Sequence, residues 1–377
     1  MGENTVLFEV FGGVDLEILF LDSELNNASS PIDDYYSLIW TDKYYTYGAY
    51  QLYLSSKHYN TAKNAEYMYN SETGAAGIIE SRGYKNIDRL ETIVKGAPLE
   101  KLLYDRCIEI DEIISGNLET EIYNIVTKYA LTGVRKIPHL RLKMYAGYTE
   151  TIEAQIPAGK NLGEWLHEVL KTFEMSYRID IDYYNNDFVF EIYKGLDRTQ
   201  EQSVNSWAIF STTYDNLYSV EKETDDSEYK NYFYIRGAAD SLGEQITEEL
   251  DLRLPDEARR EMFVTAQHIK RNDDEGDEIP ENTYRQMLLQ YGRETAGEYR
   301  KANPIIASLD PNTLMDYKLG DKCDIEITDI GESLSARLTE LTYIHEGGTI
   351  KIEPVFGEAR LSIKKYIKRE GQKKYGT

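Results

Sequence analysis

The side chains best able to do chemistry in this chain are 5 histidines, 2 cysteines and 66 carboxylates, and their spacing argues against most reactions. His167 and Glu168 open the His-Glu-x-x-His pattern, in which two histidines one helical turn apart bind zinc, but Lys171 stands where the second histidine belongs. His58, His139, His167, His268 and His345 show no ligand spacing. The acidic run Asp273-Asp274-Glu275-Gly276-Asp277-Glu278 lacks the alternating carboxylates and closing Glu of a calcium loop, and reads as a solvated loop. Adjacent pairs such as Asp225 with Asp226 and Glu248 with Glu249 follow from the abundance of acids and imply no glycosidase pair. Neither a phosphate-binding Gly-rich loop ending in Lys-Ser/Thr nor a Gly-x-Ser-x-Gly nucleophile turn occurs. The expectation is therefore no catalytic residue, no cofactor and no metal ligand, in a protein that is not an enzyme.

Charge narrows the partners. The formal net charge is −24, unevenly placed. From Arg360 to Thr377 seven basic residues face Glu370, a net of +6 that leaves −30 on residues 1–359. Affinity for nucleic acid comes largely from neutralising phosphates, so this balance argues against a grip on DNA. The basic tail reads either as a solvated end or as a segment that docks on an acidic surface. Cys107 and Cys323 stand far apart without a CxxC pair, and Met1 to Asp15 show no secretory leader, which fits synthesis in a reducing cytoplasm. Every apolar run is broken well short of the roughly 18 residues a membrane helix needs, so no membrane insertion is expected.

The elements that would position these groups are mainly strands. Val6, Phe8 and Val10, then Leu16, Ile18 and Phe20, Leu52 and Leu54, and Ile78 and Ile79 alternate, with turn signals at Gly12-Gly13, Gly48, Gly74 and Gly83. The 32 tyrosines suit such amphipathic sheet faces. Residues 1–110 are read as a β-barrel that ends in a short helix near Pro98 to Leu103. Helical spacing follows at Leu118, Ile122, Ile125, Val126 and Tyr129, and again at Leu162, Trp165, Leu166, Val169, Leu170 and Phe173, with Asn161 as cap. Tyr177 to Ile181 and Phe188 to Ile192 flank the Asn185-Asn186-Asp187 turn, so 115–197 is read as a small α/β domain. Strands at Trp207 to Ser211 and Tyr232 to Arg236, then at Asp321 to Thr328, Leu334 to Ile344 and Thr349 to Val355, give a second barrel over 205–243 and 302–359. A helical insertion over 244–301, with helices at Pro255 to Ile269 and Pro280 to Tyr299, interrupts it, and 360–377 is the basic tail. The fold class is α+β, mainly β.

Two runs carry a family signal. Tyr36 to Leu54, with Gly77-Ile78-Ile79-Glu80 and Val94-Lys95-Gly96, resembles the opening barrel of siphophage tail-tip hub proteins. Tyr317-Lys318-Leu319-Gly320-Asp321-Lys322-Cys323, Ala336 to Leu341 and Ile352 to Gly357 resemble their closing barrel. Physically, Gly48 and Gly320 fall where tight connections need a permissive backbone, and Leu338 and Leu341 flank a bend between paired strands. The resemblance implies two tail-tube-like β-barrels per subunit, so that a homotrimeric hub presents six to a six-fold tail tube at the virion tail tip. It implies as partners a distal tail or tail-tube protein ring, a tape-measure protein and a receptor-binding or spike protein, with DNA passing through the ring unbound. A carboxylate-lined channel would repel the phosphate backbone. The competing readings are the hub of a contractile tail or a phage-like bacteriocin, and, from another class, a carbohydrate-binding tail protein that stacks tyrosines on sugars. A cell-wall hydrolase would need a paired acid and base in a cleft.

Overall fold

The computed structural model describes residues 17–357 except 88, 241, 274, 275, 312 and 314. The strand expected at Val6 to Val10, with Leu16 and Gly12-Gly13, and the basic tail from Arg360 lie outside the described residues. As expected the chain is mainly β, with 44 % strand and 19 % helix. The expected barrels are corrected: among the described residues no sheet closes.

Twelve strands instead form one branched sheet. Its first six run in the order Ile18–Leu21, Tyr67–Asn70, Ala76–Asn86, Leu90–Pro98, Ala49–Ser55, Ser37–Lys43. They curl until Ile18 and Phe20 of one end strand share a core with Leu38 and Trp40 of the other. The end strands do not pair with each other. Ser37–Lys43 pairs antiparallel with Glu332–Glu346, for example Trp40 with Tyr343, and so opens the curl into the second half of the sheet. Gly83 lies inside the Ala76–Asn86 strand and not at a turn.

The second six strands curl likewise, in the order Ile209–Ser211, Lys322–Ile327, Glu332–Glu346, Thr349–Phe356, Ile305–Leu309, Leu217–Lys222. Phe210, Leu217, Ile325, Leu338 and Phe356 fill their core. The 15-residue strand Glu332–Glu346 belongs to both curls. Its start pairs with Lys322–Ile327, its end with Ser37–Lys43, and its register slips between Leu338 and Glu340, where the bend was expected.

Between the halves, helices Leu118–Val126 and Leu162–Thr172 pack with the hairpin Met175–Asp182 and Asp187–Lys194. Local signals account for these elements. Asn161 Oδ1 accepts from the Glu164 backbone N–H at 3.0 Å, as a helix cap should, and Asn186 takes a left-handed φ of 54° at the turn. The outer face of the first curl, through Leu19, Leu21 and Ala76, joins this core.

The inserted segment corrects the sequence reading. Pro255 to Ile269 contains the strand Glu261–Ala266 rather than a helix, and Tyr232–Ala239 is the centre of a three-stranded sheet with Gln245–Asp251 and Glu261–Ala266. The helix Glu281–Glu298 covers one face of that sheet with Tyr284, Met287, Leu288 and Ala296. The insertion is thus a β-β-β-α unit with its own core.

Candidate assembly junction

The residues that carry the two family-like runs meet at one point. Tyr44 leaves the Ser37–Lys43 strand and donates its backbone N–H to Thr339 O at 2.9 Å. Its side chain is fully buried where the first curl, the middle α/β layer and the second curl converge. The hydroxyl donates to Glu174 O at 3.0 Å and accepts from Gly195 N at 3.1 Å, while Ser176 Oγ donates to Tyr44 O. Burial pushes the phenol up to about 12.

Glycine is required on both sides of this ring. Gly320 has a φ of +94°, and a Cβ there would lie 2.3 Å from the Tyr44 ring. A Cβ on Gly195 would lie 1.8 Å from Gly320 O. Gly48, the other position singled out from sequence, would press a Cβ to 1.7 Å from Thr41 O across its own hairpin. Both expected glycines therefore sit where a Cβ has no room, Gly48 against backbone and Gly320 against a ring.

Asp321, 2 % exposed, accepts from Leu196 N at 2.8 Å, Lys318 N at 2.9 Å and Arg198 Nε at 2.6 Å. Arg198, also buried, reaches Asp316 as well at 2.9 Å. Arg337 donates to Gly320 O at 2.5 Å and to Glu174 Oε2 at 2.8 Å. Donors and acceptors here are matched with protein partners, and a buried charge pair persists only when hydrogen-bonded in this way. The arrangement acts as a mechanical brace, because its carboxylates are committed to backbone N–H and guanidinium groups.

The histidines sit in separate local contacts. His58 Nε2 meets Asp34 Oδ1 at 2.9 Å, His139 Nδ1 donates to Asn186 O at 3.0 Å, and His345 meets Tyr35. His167 is enclosed, 4.2 Å from the Tyr177 ring, and burial pushes its imidazole down to about 3. Among the described residues no group of three His, Cys, Asp or Glu side chains is placed to hold a metal ion. The adjacent acids have ordinary partners: Glu248 pairs with Arg285, Glu249 accepts from Tyr232, and Asp226 pairs with Arg260.

Sequence reasoning missed the roles of Tyr44, Arg198 and Glu119. The Glu119 carboxylate is buried and accepts from the N–H groups of Ala146, Gly147 and Tyr148 at 2.6 to 3.2 Å. That anchor fixes a loop whose Met144 and Tyr145 face solvent. A Glu one residue into a helix carries no signal of a contact 27 residues away.

Residues 15–358 match the family model described as Siphovirus ReqiPepy6 Gp37-like protein. A search of the curated proteins returned no match. Among solved structures, the fold is similar to a tail protein from Neisseria meningitidis MC58, with a TM-score of 0.59 at 10 % identity over 91 % of this chain and 96 % of that one. It is also similar to the prophage tail protein gp18 from Listeria monocytogenes EGD-e, with a TM-score of 0.56 at 15 % identity over 94 % and 98 % of the two chains. The 43 kDa tail protein of prophage MuSo2 from Shewanella oneidensis gives 0.55 at 13 % identity over 90 % and 98 %. At these identities the likeness is one of fold.

Proposed function

The chain belongs to the Siphovirus ReqiPepy6 Gp37-like protein family, and on that footing we propose that it is the baseplate hub of a siphophage tail tip. Family and fold together make it a structural protein of the phage-tail type, and neither indicates a catalytic function. The observation that carries the hub reading is the shared strand Glu332–Glu346, which fuses two curled six-stranded sheets into one subunit. Three such subunits offer six curls, the number that a six-fold tube requires, and the Tyr44 brace holds the two curls of each subunit at a fixed angle. Repeated head-to-tail contacts between copies give a ring when their rotation closes. The strongly negative charge suits a channel that DNA crosses without sticking. A distal tail or tube ring, a tape-measure protein and a receptor-binding or spike protein are its proposed neighbours.

Electron microscopy of the purified protein with its tail-tube partner tests this reading. Three-fold rings with a central opening are expected. A particle that stays monomeric and does not cap tubes overturns the hub assignment.

A further inference from the structure

The first curl is left open on one side, and the opening is an apolar slot. One wall carries Leu38 and Trp40 of the strand Ser37–Lys43, continued by Tyr343 and Ile350 of the next two strands in the sheet. The other carries Met68 of the strand Tyr67–Asn70 and Ala75 of the turn beyond it. The polar groups in these walls are committed to their own neighbours. Asp42 Oδ1 accepts from Trp40 Nε1 at 2.7 Å, and Asn70 Oδ1 accepts from the backbone N–H groups of Glu72 at 3.0 Å and Thr73 at 3.2 Å. Thr73 Oγ1 accepts from Ala75 N at 3.2 Å, and His345 Nδ1 meets the Tyr35 hydroxyl. A polar ligand would have to compete with these bonds, so the slot selects its occupant by apolar contact.

The described chain begins at the rim of this slot. Ile18 pairs with Asn70, and Glu17 O accepts from the Ser71 backbone N–H at 3.2 Å, between Asn70 and Thr73 of the slot wall. Sixteen residues precede Glu17. Among them Val6, Phe8 and Val10 alternate as one apolar face, and Gly12-Gly13 lets the chain reverse. We propose that Val6, Phe8 and Val10 of the same chain seat in the slot and cover the open side of the first curl.

Reach favours this occupant. Phe8 lies nine residues before Glu17, a span of up to about 30 Å when extended, while the slot starts beside Glu17. A tether this short holds segment and slot at a millimolar effective concentration, so the same chain outcompetes a second copy. The sheet offers the segment no easier place nearby. Ile18 and Ile32 exchange both backbone bonds at 2.9 Å, which occupies the outer edge of the strand Ile18–Leu21. The basic tail is placed less well: Gly357, from which it departs, lies about 20 Å along the strand Thr349–Phe356 from Ile350.

Side-chain footprinting of the full chain with a small carbene reagent tests it. Ala75, Tyr343 and Ile350, half-buried at the slot, should be protected in the wild type. Phe8→Asp should raise their labelling about tenfold, the loss of docking expected when one buried Phe side chain is removed. Phe263, exposed on the inserted sheet, should label equally in both proteins. In a second variant Phe8 is replaced by the photoreactive p-benzoylphenylalanine, which on irradiation should join to Met68, Ala75 or Tyr343 within one chain. If Phe8→Asp also raises labelling at Phe263, the photoproduct decides. Unchanged labelling at the slot, a photoproduct elsewhere in the chain, or one that joins two chains overturns the proposal. None of these readouts depends on whether the protein forms a ring.

Discussion

The junction at Tyr44 and the seam where the helix Glu281–Glu298 meets the helix Leu162–Thr172 and the strand Thr151–Ile156 both join separate packing units, yet their polar links are built differently. At the junction nearly every side-chain group is tied to a backbone partner: Asp321 to Leu196 and Lys318, Tyr44 to Glu174 and Gly195, Arg337 to Gly320. At the seam Gln290 meets Thr172 and Lys270 meets Asp111 through side chains on both sides, while Lys171 reaches Gly297 O and Gln155 accepts from the Lys270 backbone N–H. Backbone partners are already fixed by their own strands, so such a bond orders only one side chain; a link between two side chains must order both. The difference teaches how much side-chain ordering each contact requires.

Substitutions can break or sharpen that contrast. Asp321→Ala should have the largest effect, because it removes the buried carboxylate that holds Arg198 Nε, Leu196 N and Lys318 N and leaves Arg198 the exposed Asp316, and loss of one partner of a buried pair costs about 3–5 kcal/mol. Urea unfolding would show this as a lower midpoint of the main transition. A shift within error would mean that water reaches Arg198 and that the brace is looser than its hydrogen bonds suggest.

Tyr44→Phe keeps the ring and removes the hydroxyl that links Glu174 O and Gly195 N, so a loss of about 1–3 kcal/mol is expected from the orphaned buried groups. The same unfolding experiment reads it. Asn161→Ala removes the cap of the helix that forms one side of the seam and should cost about 1 kcal/mol. Thermal unfolding combined with hydrogen exchange would place that loss in the helix Leu162–Thr172. Arg253→Ala breaks an exposed pair with Asp251 at 2.7 Å and should change stability by less than about 0.5 kcal/mol in the same assays. A large effect there would show that the outer face of the inserted sheet is covered in solution.

Much of this was legible in short stretches. Asn161 before Leu162, the Asn185-Asn186-Asp187 turn and the alternation in Leu52 and Leu54 are local signals, and each element formed where its signal stood. Pro255 to Ile269 misled because Glu, Ala, Arg and Met favour helix in isolation, while parallel pairing of Glu261–Ala266 with Tyr232–Ala239 overrides that preference. The barrels failed for a related reason. Alternation tells which side chains face a core, but it does not name the neighbouring strand.

The sequence by itself determined the mainly β composition, the need for glycine at 48 and 320, and a family resemblance carried by two distant runs. Tertiary structure alone decided that those runs touch. Ser37–Lys43 pairs with Glu332–Glu346 across nearly the whole chain, and Tyr44 fills the space that Gly320 leaves open. The physical reason is the range of the forces involved. Turn and cap preferences act over a few residues, whereas partner choice depends on burying shared apolar faces after loops of hundreds of residues have closed, and loop closure costs only slightly more as the loop lengthens.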